Sequence, residues 1–382
     1  MLKNISWILI TIILAPILWY RIFLRKLFNK REKDLRILII GTAKIGDVVC
    51  ITPIFRAIKK KYPKSYLAIT IRKENYGIVK NNPRVDKIIF IDSKKYQGFL
   101  GTIRLVKEVS KDKFVWSINL GASVLDTILP FWAGISKRIT TVSKFAGRAH
   151  KILSWFNDYK LEHEQHTLKL RHDLALLKFL GIKESDEKEE IFLIREEKEK
   201  AEDFLRKNNL KKNNFLVGMT VTSRVKIKEW EPFKFGQLAD RLIEELKAKI
   251  IFIGSPDDRG IIEKIINDMK NEAIISTDFK LNETAALLEK IKLFISVDTG
   301  PLHIAYALNV PVVNIIGPTT LDEQAPRDER SEIVHKDIYC APCFFNMSTI
   351  NYCKEGHHRC IKEIMVDDVF RAVVKLTKRV YV

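Results

Sequence analysis

Cysteine is almost absent until the end of this chain. Of five in 382 residues, Cys50 stands alone, and Cys340, Cys343, Cys353 and Cys360 crowd near the C terminus. A scaffold stapled by disulfides throughout is therefore excluded. Acidic side chains are also in short supply. Against 66 Lys and Arg there are 47 Asp and Glu, a formal net charge of +19, which implies an anionic partner: phospholipid, nucleic acid or a phosphorylated substrate. Zinc-finger spacing, RNP-type aromatic motifs and a basic helix backed by heptads are all missing, and with them the usual readers of nucleic acid. No Gly, Pro, Ser or Gln tract interrupts a balance of 46% hydrophobic and 30% charged residues, so most of the chain is expected to fold. Its length exceeds one ordinary core and fits about two domains.

One long apolar run is present. Ile5 to Leu24 reads ISWILITIILAPILWYRIFL, with Arg21 its only charge. At about 1.5 Å per residue it matches a ~30 Å hydrocarbon layer. It lacks an A-x-A-like exit and is followed by Arg25, Lys26, Lys30, Arg31 and Lys33, which opposes a cleaved signal peptide. With Lys3 the only basic side chain before the run, the positive-inside rule puts the rest of the chain in the cytoplasm. Pro16 and the Trp19-Tyr20-Arg21 ending fit a half-inserted, monotopic anchor as well as a spanning one. Both make residues 1–33 a membrane anchor with a basic flank and place the protein on the cytoplasmic face of the inner membrane.

From Leu35 onward, strand-length apolar runs alternate with helix-period segments, the pattern of βαβ units and a parallel sheet. Strands are expected at 36–40, 67–71, 87–91 and 114–119, then at 215–220, 249–254, 273–275, 293–297 and 311–316. A helix is expected from near Val48 to Lys61, and a long one through HTLKLRHDLALLKFLGI. The stretch 143–181 shows no strand-like run. KNNLKKNN (207–214) is the linker candidate, which gives an N-terminal α/β domain at 34–207, a second at 208–363, and a closing helical segment at 364–382 that either stays with the second domain or crosses back to the first. Ligands of such sheets settle beyond the carboxyl ends of the strands.

The first strand runs into Gly41-Thr42-Ala43-Lys44-Ile45-Gly46-Asp47. Asp47 suits a helix cap, and equally suits a carboxylate that takes the proton of an attacking hydroxyl. The spacing is neither a P-loop nor G-x-G-x-x-G, which weakens an ATPase or dehydrogenase reading. In the second half, Asp298-Thr299-Gly300-Pro301-Leu302-His303 joins a strand to a helix whose free N–H groups suit a diphosphate. Asp298 fits a cap or a ribose contact, and His303 packing or phosphate contact. Thr222, Ser223, Arg224 and Lys228, after another strand, make a phosphate clamp or a solvated basic loop. The C-x2-C-x9-C-x6-C cysteines suit either a metal site or a metal-free structural cluster.

ILIIGTAKIGDVVCITPIFRAIKKKYP and SVDTGPLHIAYALNVPVVNIIGPT, in this order, resemble glycosyltransferase family 9, the lipopolysaccharide heptosyltransferases. HTLKLRHDLALLKFLGI and CAPCFFNMSTINYCKEGHHRCI look like family segments too, so the likeness runs from about Leu35 to Leu376. The resemblance implies a GT-B architecture: two Rossmann-like domains facing across a cleft, acceptor on the N-terminal half and donor on the C-terminal half. It implies inverting, metal-independent transfer with no cofactor from a nucleotide sugar, ADP-heptose first, to a lipopolysaccharide core or other membrane glycolipid. Asp47 matches the family's catalytic base, with Lys44 and Gly46 on the acceptor side. Thr222, Ser223 and Lys228 look like its diphosphate contacts, Asp298, Thr299 and Gly300 match its donor turn, and Asp258 sits where it often has an acid near the ribose. Lys44 and the anchor depart from common members. Other expectations are transfer from a different nucleotide sugar, or a membrane-tethered, non-catalytic nucleotide-sugar binder.

Overall fold

The computed structural model describes residues 2–28, 35–41, 44–121, 123–143, 147–183, 186–324, 326–345 and 351–381. Thr42 and Ala43 of the first motif, and Lys30, Arg31 and Lys33 of the basic flank, lie outside these. The chain divides into two compact units, one holding Met1–Glu189 and the other Glu190–Asn346 with Ile350–Val382.

The first unit carries strands β1 (Arg36–Ile40), β2 (Tyr66–Ile71), β3 (Lys87–Phe90), β4 (Trp116–Asn119), β5 (Lys137–Val142) and β6 (Tyr159–Glu162), in the spatial order β3-β2-β1-β4-β5-β6. Every pairing is parallel, with Ile39 opposite Ile69 on one side and Ile118 on the other. Ile37 to Ile40 are fully buried because helices cover both faces. The second unit repeats the plan with β7 (Leu216–Thr220), β8 (Lys249–Ile253), β9 (Ile274–Ser276), β10 (Leu293–Val297), β11 (Val312–Ile315) and β12 (Ser331–Val334), in the order β12-β11-β10-β7-β8-β9. In each sheet the chain doubles back between the first and fourth strands, at β1/β4 and β7/β10. A doubly wound fold opens its binding crevice at the carboxyl ends of such a switch point.

Nine strands match the expected runs, and three were not foreseen. β5 and β6 fall where 137–162 offers KRITTV and YKLE rather than a pure apolar run. β5 hides Arg138, whose guanidinium donates to the Phe156 carbonyl at 2.7 Å and pairs with Asp158 at 3.0 Å. β6 is an edge strand alternating between half-buried and exposed residues, so tertiary pairing rather than hydropathy makes it a strand. β12, another edge, holds Glu332.

The first expected helix is two: α2 (Ile45–Cys50) and α3 (Thr52–Lys61), separated at Ile51 ahead of Pro53. The long helix through HTLKLRHDLALLKFLGI is shorter. It runs Lys169–Ala175, tightens to a 3-10 turn over Leu176–Leu180, and ends at Gly181 with φ +69°.

The units also divide elsewhere than in the polar 207–214 tract. The Arg195–Lys207 helix belongs to the second unit, where Lys200 Nζ reaches Glu283 Oε1 at 2.5 Å and Asn282 Nδ2 donates to Glu197 Oε1 at 2.6 Å. KNNLKKNN is the turn from that helix into β7. The closing helix, Val366–Tyr381, does not cross to the first unit. It buries Val369, Phe370, Val373 and Leu376 in the second unit's core with Phe235 and Leu238, and Arg379 donates to Glu332 Oε1 at 2.5 Å.

Candidate active site

Each unit gathers charged groups at its switch point. In the first, the next element after β1 is α2, which starts at Ile45 rather than near Val48. Asp47 therefore stands in the first helical turn, not at the cap. Its Oδ2 accepts the Lys44 N–H at 3.0 Å, a favourable place for a carboxylate because the helix start carries partial positive charge. Gly46 is buried, Lys44 is exposed and Asp47 is half-buried, so the carboxylate retains access to solvent.

Beneath Asp47 lies a cluster that the sequence reading did not single out. Lys169 is buried and donates to Asp173 Oδ2, four residues further along the same helix. Burial alone would lower the ammonium's pKa, but Asp173 and then Asp47 outweigh it and hold Lys169 protonated well above its ordinary range. The sequence signal was available: a Lys and an Asp at i, i+4 among leucines share one helix face. Nearby, burial and the neighbouring Glu189 push the Cys50 thiol up, so this lone cysteine stays a neutral, packed side chain. His172, within hydrogen-bond reach of Thr141 Oγ1 at 3.0 Å, is pushed down to about 3 by burial and then by His163.

In the second unit, β10 ends at Val297 and delivers Asp298 into the crevice. Lys228 Nζ donates to Asp298 Oδ2 at 2.5 Å and the Thr319 hydroxyl donates to the same oxygen at 2.9 Å. His303 Nε2 stands 3.9 Å from the other oxygen. Burial would raise the Asp298 carboxyl, yet Lys228 and His303 together hold it well below the usual carboxylate range. The Phe344 ring lies 4.1 Å from the ammonium, a cation–π contact no motif announces.

Lys228 is held rigidly because its loop is pinned on both sides. Glu229 accepts the Ser223 N–H at 2.9 Å, and the buried Trp230 donates to the Ile364 carbonyl at 2.8 Å. Thr222 and Ser223, half-buried, stand on this loop just past β7. Thr299 precedes the Gly300–Ala307 helix and no side chain caps that helix start; Pro301 has no N–H and the Leu302 N–H goes to the Thr299 carbonyl at 3.2 Å, so what this turn offers an anion is the Gly300 N–H and the positive end of the helix dipole.

The structure thus brings Lys228, Asp298 and His303 into contact and sets Thr222, Ser223, Thr299 and Gly300 on the β7 and β10 ends. Asp258 differs. Its Oδ2 accepts the Ser255 N–H at 2.7 Å and the Ser255 hydroxyl at 2.6 Å, so it caps its own turn after β8. The four terminal cysteines are free thiols, with Cys340 Sγ 3.8 Å from His357 Nε2. Cys360 is pushed up to about 11 by burial and then by Cys343, Cys340 and Cys353.

Two doubly wound parallel sheets in succession, each with polar residues at its switch point, are the paired Rossmann-like units of the GT-B architecture. A model of glycosyltransferase family 9 (heptosyltransferase) matches residues 102–353, more than half of the chain, and the chain belongs to that family. It is 24% identical over 365 residues to lipooligosaccharide heptosyltransferase 2 of Haemophilus ducreyi, covering 90% of this chain and 99% of that protein. Among solved structures, a family 9 glycosyl transferase from Veillonella parvula superposes with a TM-score of 0.76 at 22% identity, over 89% of this chain and 96% of that one. The ADP-heptose heptosyltransferase II of E. coli superposes with a TM-score of 0.71 at 16% identity, over 90% and 99%.

Proposed function

We propose that this glycosyltransferase moves heptose from ADP-heptose onto a lipopolysaccharide core or related membrane glycolipid, at the cytoplasmic face of the inner membrane. The observation that carries the reading is the buried Lys228–Asp298 pair, fixed beside the start of the Gly300–Ala307 helix, which no side chain caps. One of the lysine's three donors is spent on Asp298, which leaves two for a diphosphate. The names of the Haemophilus protein and of E. coli heptosyltransferase II support heptose, and the latter supports ADP.

In this mechanism Asp47 takes the proton from an acceptor hydroxyl as it attacks the anomeric carbon from the face opposite the nucleotide, inverting that centre. Lys228, the Thr222 and Ser223 hydroxyls and the helix start beyond Thr299 hold the negative charge gathering on the departing diphosphate. These fixed donors act where the charge develops and need no metal. Asp298 keeps the ammonium in place, while Thr299 and Gly300 shape the turn.

The test is a product assay: purified chain, membrane glycolipid and ADP-, UDP- or GDP-sugars, with products weighed by mass spectrometry. Gain of a heptose mass from ADP-heptose alone is expected. Transfer from another nucleotide sugar would replace the donor, and donor binding with no transfer from any sugar would favour the non-catalytic binder. Activity that EDTA abolishes and added Mg²⁺ restores would overturn the metal-free mechanism.

A further inference from the structure

The apolar N-terminal helix α1 (Leu2–Phe28) has two different faces. Thr11, Ala15, Leu18 and Ile22, at the i, i+4, i+7, i+11 spacing of one stripe, are buried in the first unit. They pack on Ile128, Phe131 and Trp132 of the Val124–Trp132 helix and on Leu153 and Phe156 beyond it. Trp132 Nε1 donates to Thr11 Oγ1 at 3.2 Å, and Trp19 rests against Phe131 and Phe156 at ring separations of 5.8 and 5.9 Å.

The opposite face is bare: Ile13 is 72% exposed, Ile17 60% and Tyr20 63%. Two segments that neighbour α1 carry exposed apolar side chains as well. Leu100 (68% exposed) follows Phe99, which Trp7 contacts at 5.7 Å, and Trp155 (80% exposed) follows the Arg148–Leu153 helix that packs on α1. So large an apolar face marks a surface that is covered in use.

We propose that α1 lies along the bilayer rather than through it, so that this composite face docks the first unit onto an anionic phospholipid surface. A spanning helix presents hydrocarbon-facing side chains around its whole girth. α1 does not, because crossing would strip the Thr11–Ile22 stripe from Phe131, Trp132 and Phe156.

Charge identifies the covering partner. Leu2–Phe28, Lys94–Arg104 and Arg148–Phe156 contain no Asp or Glu, while Lys94, Lys95, Arg104 and Arg148 stand exposed on the two segments beside α1. Lys160 Nζ lies 5.0 Å over the Trp155 ring. An apolar face accompanied by cations and interfacial Trp and Tyr is the composition that enters the headgroup layer of acidic lipids.

This inference rests on the membrane location proposed above, and the experiment separates the two. Inside-out membrane vesicles are prepared from cells making the full chain with an N-terminal epitope. Protease added without detergent is expected to remove the epitope, since docking leaves it on the same side as the catalytic units. A protected epitope on membrane-bound protein would overturn the docked helix and leave the location standing, whereas no membrane association at all would remove both.

Purified full chain is then floated with vesicles of phosphatidylglycerol or of phosphatidylcholine alone. The double variant Leu100→Ala/Trp155→Ala is expected to bind phosphatidylglycerol vesicles about tenfold more weakly or worse, with circular dichroism unchanged. Unchanged flotation, or equal binding to both vesicle types, would overturn the surface. So would a wild-type dimer that this variant dissociates, since a second copy would then be the cover.

Discussion

Cutting the Lys228–Asp298 pair strands a charge inside the second unit. The two side chains are 6% and 5% exposed and meet at 2.5 Å. With an effective dielectric of about 20 their attraction is on the order of 7 kcal/mol, most of it offset by desolvation. Removing one partner of such a buried pair costs about 3–5 kcal/mol, because the survivor keeps its desolvation and loses its counter-ion. Lys228→Met retains the apolar stem against Phe344 and is expected to destabilise the second unit by about 3 kcal/mol at pH 7. Since Asp298 is held below its ordinary value, its contribution is complete above the unfolded pKa of about 3.9 and is lost only as the pH falls through the lower folded value. The deficit is therefore measurable across the neutral range. Asp298→Asn, similar in shape, loses a comparable amount, while Lys228→Met/Asp298→Leu recovers much of the loss by removing both charges. Urea unfolding read by hydrogen exchange in β7 and β10 peptides measures these stabilities, and calorimetric titration with ADP measures the site. Lys228→Met should weaken ADP about tenfold or more, the loss of one charge-assisted contact. Single variants costing under about 1 kcal/mol each, and adding in the double, would refute the pair as described.

Asp47→Asn keeps an acceptor for the Lys44 N–H, so stability should change by less than about 1 kcal/mol while kcat falls about 10²- to 10⁴-fold. Near-normal turnover would remove Asp47 as the base. His172, at about 3 in the folded chain, lies below its unfolded value of about 6.5, so the folded first unit resists a proton that the unfolded chain accepts. Stability from this group is complete above about pH 6.5 and falls as the pH drops from there towards 3, by about 2 kcal/mol at pH 5. Urea midpoints at pH 5 and 7 should converge in His172→Gln, and a flat wild-type response would count against it. Leu376→Ala should cost the second unit about 2–5 kcal/mol, read as loss of exchange protection in the Val366–Tyr381 helix. Protection that survives would place that helix outside the core.

Much of the fold was legible because buried parallel strands read as unbroken apolar runs. RILII, FLVGMT and LFISV each announce a central strand that both faces of helices cover. Of the four edge strands β3 and β9 were legible, but β6 and β12 were not, since β6 alternates and β12 carries Glu332, and the interior β5 escaped because KRITTV mixes charged and hydroxyl side chains into its run. The site divides in the same way. Residues on a strand-to-helix turn declare themselves through Gly, Pro and a nearby carboxylate, and so Asp47, Asp298, Thr299 and Gly300 could be singled out as candidates in advance. Phe344 acts on Lys228, and Lys169 on Asp47, across long stretches of chain where no local pattern marks the pairing, although the i, i+4 spacing of Lys169 and Asp173 was itself legible.

By itself, the sequence determined two parallel α/β units, the turns that end their key strands, a basic balance and an apolar helix long enough to cross a membrane. Those properties follow from local periodicity, turn chemistry and composition. Only the tertiary structure decided that Lys228 and Asp298 form one buried pair, that the Arg195–Lys207 and closing helices join the second unit, and that α1 hides one stripe against the first. Each of these depends on which side chains meet across long intervening stretches of chain, 70 residues for Lys228 and Asp298 and 121 for Thr11 and Trp132, and desolvation acts only on that final arrangement.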